Sequence, residues 1–176
     1  MSLHLFCQIV LGLTFAVAVA GKVRSRAAWR AFAGSVADLG LVPAAAVRPL
    51  AVLTVAAEAA VVAAMAVPGL TRPGFLLALA LLAGLTGGVV AVLRAGRRVD
   101  CHCFGGTPEA YGPPHVVRNL LLLTVAGLGA VSPPPATLRF AEVVPTLLAA
   151  VPAAIVAVRF VEIFAVFDIS RPTSRS

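Results

Sequence analysis

FLLALALLAGLTGGVVAVL, residues 75–93, carries no charged side chain, and the chain then turns abruptly polar through Arg94, Arg97, Arg98, Asp100, Cys101, His102 and Cys103. An unbroken apolar run of this length matches the ~20 residues that a helix needs to cross a hydrocarbon core. Its reading decides the fold, because four further apolar runs, three of them holding one or two charged residues, flank it at about 3–20, 49–67, 116–131 and 143–167. Only 12% of the residues are charged and 60% are hydrophobic. Soluble domains carry roughly a quarter charged residues, so the chain is an integral membrane protein. The first run lacks a basic segment before it and has Lys22, Arg24 and Arg26 after it, which predicts a retained helix rather than a cleaved signal peptide.

The expected fold is all-α. Residues 1–131 form a four-helix transmembrane bundle, and residues 132–176 add a proline-rich linker (Ser132-Pro133-Pro134-Pro135), a fifth transmembrane helix and a short tail. Pro145 and Pro152 interrupt the fifth run, and prolines are tolerated in membrane helices. Between the first two spans, Trp29, Phe32, Ala33 and Val36 recur at helical spacing, which predicts a short amphipathic helix over 27–39 at the headgroup level. Gly84 and Gly88 stand at the spacing that lets helices approach closely, and packing is their expected role. Cys7, inside the first run, reads as a small buried hydrophobe.

The net charge of +7 would suit nucleic acid, but the basic residues cluster between apolar runs, where membrane orientation requires them. No polar stretch is long enough for a nucleic-acid-binding domain, so the lipid bilayer is the partner that composition implies. With five spans, one side receives Lys22, Arg24, Arg26, Arg30, Arg48, Arg94, Arg97, Arg98, Arg118, Arg171 and Arg175. The other receives Arg72 and Arg139. This asymmetry predicts an external N-terminus and a cytoplasmic Cys101/Cys103 loop.

Two features carry chemistry. Cys101 and Cys103 are one residue apart, at the end of one span and before the turn-forming Gly105-Gly106 and Gly112-Pro113-Pro114. Arg97, Arg98 and His102 supply positive charge, and a helix starting near Pro113 would supply a dipole; both favour the thiolate, the reactive form of a cysteine. A Cys-x-Cys pair can close a small strained ring, and strained disulfides are the more easily reduced. The second feature is Glu58, near the middle of the second span, where a carboxylate is costly and marks either function or a polar partner on another helix. Arg118 and Asn119 are polar groups at the membrane face that bears the cysteines.

Phe15, Gly21-Lys22-x-Arg24, Leu41-Val42-Pro43, Glu58, Gly96, Cys101-x-Cys103-Phe104-Gly105 and Arg118-Asn119 together resemble the methylamine-utilisation protein MauE family, of the wider DoxX-like group. The resemblance covers roughly residues 5–131. It implies a four-helix membrane bundle linked, with a thioredoxin-like partner, to maturation of the disulfide-rich methylamine dehydrogenase. Cys101 and Cys103 would then be the redox pair, with Glu58, Arg118 and Asn119 as polar elements of the bundle. The family usually has glycine between its cysteines, where this chain has His102. A cytoplasmic cysteine loop would favour a thiol or sulfur-relay role over disulfide formation in an exported protein.

The leading expectation is therefore a membrane thiol–disulfide component, accessory to an oxidoreductase and needing no bound cofactor. Two alternatives stand beside it. One is thiolate and imidazole metal binding by Cys101, His102, Cys103 and His115, although adjacent residues rarely all face one ion. The other is a non-catalytic scaffold or assembly factor.

Overall fold

A computed structural model of the chain describes residues 2–96, 100–101, 109–110, 112–135 and 140–169. Among the described residues there are six helices: α1 Leu3–Val23, α2 Arg26–Asp38, α3 Ala44–Ala66, α4 Thr71–Arg94, α5 Pro113–Val131 and α6 Phe140–Ile169. Two residues of β1, Asp100–Cys101, pair antiparallel with β2, Glu109–Ala110. Five of the helices, all but α2, are long and apolar enough to cross a membrane. The fifth span is thus an ordinary helix of the set, its two prolines included within it.

Local chemistry sets the helix ends. Ser2 and Ser25 cap α1 and α2 by accepting hydrogen bonds from the backbone N–H of Leu5 and Ala28. α3 begins five residues before the expected Pro49, because a proline in the second turn removes only one helical hydrogen bond. Gly69 and Gly96 adopt left-handed backbone (φ 85° and 66°), which a side chain disfavours, and they close the α3–α4 turn and the end of α4. α5 starts at Pro113, where a proline's missing N–H costs nothing.

α1 is the central helix, packing against each of the other five. Cys7, Leu11 and Phe15 on α1 meet Val61 and Met65 of α3, Phe75, Ala78 and Leu82 of α4, and Leu122 and Ala126 of α5. The expectation for Cys7 holds, since it is 1% exposed within this core. α2 lays Phe32 and Val36 on Ala51 of α3, with Trp29 alongside. α6 turns Thr146, Ala150, Ala154 and Val161 inward, a stripe of mostly small residues four to seven apart, and it packs on α1 and α5. Large apolar side chains such as Leu53, Leu76, Leu121, Leu148 and Ile155 point away from the bundle, as surfaces facing lipid do.

Successive spans run antiparallel, so the starts of α1, α4 and α6 share one end of the bundle with the ends of α3 and α5. His4 ties that end together. Its Nδ1 lies 3.1 Å from the Ser132 carbonyl, which can only accept, so the proton sits on Nδ1. Its Nε2 lies within hydrogen-bond reach of the Thr71 hydroxyl at 3.3 Å, while Phe75 meets the ring edge to face. Gln8 Nε2 adds a bond to the Met65 carbonyl at 2.6 Å.

The glycines correct one expectation. A Cβ added at Gly84 would meet no atom within 4 Å, and one at Gly88 would meet only Leu41 at 3.8 Å. Neither presses one helix onto another. The close approaches are at Gly74, against Ala64, and at Gly129, where a Cβ would collide with the Phe75 ring. Gly129→Ala is expected to lower unfolding free energy by about 1–3 kcal/mol through overpacking, and Gly84→Ala to leave it nearly unchanged. Thermal or denaturant unfolding in detergent reads the difference.

Candidate functional site

In a helix every Cα–Cβ bond tilts toward the N-terminus. α1 and α3 run antiparallel, so Lys22, in the last turn of α1, leans into the bundle, and Glu58 of α3 leans back toward it. The Lys22 ammonium donates to both Glu58 oxygens, at 2.7 and 2.8 Å. Both side chains are only 3% exposed. A lysine at a helix end commonly reaches out to the water; this one turns inward. Its Nζ also stands 5.0 Å from the centroid of the Phe32 ring, a cation–π contact that joins α2 to the pair.

Glu58 therefore has the polar partner that its depth demanded, and the partner had been counted among the water-facing charges. Lys22 and Arg118 are both buried, so neither serves as an exposed orienting charge. The basic bias itself survives among the exposed residues Arg24, Arg26, Arg30, Arg48 and Arg94, against Arg72 at the opposite end. The sign that could have revealed the pair is that Lys22 is the chain's one lysine beside thirteen arginines.

α5 brings three more polar groups to the same region. Arg118 donates to Asn119 Oδ1 at 3.3 Å, and both are buried. His115 sits in the first turn, where its Nδ1 accepts from the Gly112 N–H at 3.4 Å and its own backbone N–H donates to the Gly112 carbonyl. The side chain thus caps the helix that its residue opens. Lys22, Glu58, His115, Arg118 and Asn119 all line one cavity of about 350 Å³ among α1 to α5, whose remaining walls are apolar but for Thr14 and Thr54, each of which bonds back to its own helix.

The ladder whose first strand holds Cys101 lies at this same end. β1 packs against α2, and its ladder sets Cys101 opposite Glu109 and Asp100 opposite Ala110. Arg97, Arg98, His102, Cys103, Phe104 and Gly105 lie outside the described residues, and for Cys101 only the backbone is described. Of the four alternative metal ligands, His115 alone has a described side chain. Among the described residues, no three His, Cys, Asp or Glu side chains are grouped as a metal ion requires.

Residues 1–132 match the profile described as methylamine utilisation protein MauE. The chain belongs to the MauE family. No curated protein and no solved structure matches it. The MauE match takes in α1 to α5, with the ion pair, the cavity and the cysteine segment, and it ends at Ser132, whose carbonyl accepts from His4. α6 lies beyond it. For this MauE-family chain, His115→Ala is expected to cost about 0.5–2 kcal/mol of stability through loss of the α5 cap. Unfolding in detergent, compared with the native chain, measures it.

Proposed function

We propose that this protein is a membrane thiol–disulfide component in which Cys101 and Cys103 exchange with a disulfide of a thioredoxin-like partner. The observation that carries the reading is the placement of β1. The ladder starts the Cys-x-Cys segment at the bundle end, against α2, where it follows span α4 and precedes the N-terminus of α5. A helix N-terminus carries partial positive charge, which together with Arg97, Arg98 and His102 favours the thiolate.

One thiolate attacks a sulfur of the partner disulfide, forming a mixed disulfide and releasing the partner's second sulfur as thiolate. The other cysteine then attacks the mixed disulfide. The chain's pair becomes a disulfide, and the partner leaves as a dithiol having gained two electrons. Run backwards, the same steps oxidise the partner. Family membership supports linking this exchange to methylamine metabolism and to maturation of a disulfide-rich dehydrogenase. In this reading residues 1–131 are the working unit and residues 132–176 an addition, and the bias of the exposed arginines favours the cytoplasmic side for the cysteine segment.

Cys101→Ser and Cys103→Ser are the tests. At least one is expected to accumulate a reductant-sensitive mixed disulfide with a partner protein on non-reducing gels. Absence of any adduct, together with thiols that never change state, would sink the redox reading. Because Cys7 is buried, an impermeant maleimide reports on the pair alone, and it is expected to label cells only after permeabilisation.

A further inference from the structure

The cavity among α1 to α5 has two unlike parts. Its polar end is built by Lys22, Glu58, His115, Arg118 and Asn119, while Phe15, Phe32, Leu82 and Leu122 are among its hydrocarbon walls. Leu50 and Gly84 also line it; both are exposed, and both lie within spans α3 and α4. The cavity therefore reaches the surface that faces lipid. Gly84 and Gly88, which bring no helix into contact, instead leave this wall thin.

The ammonium of Lys22 has three N–H donors, of which Glu58 takes two. With Asn119 Oδ1 accepting from Arg118, the remaining hydrogen-bonding atoms of that amide are donors. A polar end with a surplus of donors calls for oxygen acceptors, whereas hydrocarbon alone there would leave polar groups poorly satisfied. The volume of about 350 Å³ lies in the range of small-molecule sites, roughly 300–1,000 Å³. A small head on one hydrocarbon tail suits this space and its opening between spans; a two-chain phospholipid is too large.

We propose that the cavity binds a single-tailed, membrane-dissolved molecule whose head presents oxygen acceptors, the chemistry shared by prenyl quinones and free fatty acids. The head sits by Lys22 and Asn119, and the tail leaves past Gly84 into the bilayer. Binding stands on the cavity alone and does not depend on the cysteine reading. A quinone occupant would, in addition, take up the two electrons and two protons released when a dithiol closes to a disulfide, becoming a quinol.

Trp29, the chain's single tryptophan, is a built-in reporter, since it packs 6.1 Å (centroid to centroid) from Phe32 of the cavity wall. The full chain in detergent is titrated with a short-tailed benzoquinone in one arm and a nitroxide-labelled stearate in the other; both quench tryptophan at short range. At least one is expected to quench Trp29 saturably, and which one does so names the source. Gly84→Phe has room for its Cβ and fills the cavity, and Asn119→Leu removes a donor; each is expected to weaken that binding by about tenfold or more. The Cys101→Ser/Cys103→Ser variant is expected to bind as the native chain does. Quenching that rises without saturation for both probes, or that is the same in Gly84→Phe and Asn119→Leu, overturns the proposal.

Discussion

A lysine and a glutamate that neutralise each other inside an apolar bundle set the terms for the rest of this structure. Either charge alone would be expensive at that depth, and the cost is met only when both carboxylate oxygens accept from the ammonium at 2.7 and 2.8 Å. The requirement fixes the rotation and register of α1 against α3, since only one alignment turns Lys22 and Glu58 toward each other. It also recruits α2, whose Phe32 covers the ammonium. With those three helices placed, α4 and α5 close round a space whose polar end the pair itself supplies.

The spans were legible because their signal is additive and local. Nineteen uncharged residues in a row at 75–93 need no knowledge of their neighbours to be read as a crossing helix, and the same holds for the other four runs. Cys7, the α2 helix and the start of α5 at Pro113 were readable for similar reasons. The site was less so. Glu58 announced itself by depth, but its partner lies 36 residues earlier, and finding it requires the antiparallel alignment of two helices. Lys22 also imitated an orienting charge, as did Arg118, because sequence shows distance from a span end and not the direction of a side chain. The glycines misled in the same way: Gly84 and Gly88 have the spacing of a packing motif, yet it is Gly129 that admits the Phe75 ring.

The two ends of the bundle are built differently. At one, His4 joins α1, α4 and the close of α5 through hydrogen bonds, and Gln8 and Met65 add another tie. At the other lie the ion pair, the cavity's polar groups, the amphipathic α2 and the ladder that begins the cysteine segment. The family match spans both ends and stops before α6, which pads α1 and α5 with small side chains and brings no polar group to the cavity.

A double-mutant cycle on the buried pair tests this account most directly. The unfolding free energies of Lys22→Met, Glu58→Leu and the double variant are compared with that of the native chain in one detergent. Each single change is expected to cost about 3–5 kcal/mol by stranding a charge, and the double change far less than their sum. Single losses that simply add, with a coupling near zero, would contradict the claim that these two charges depend on each other.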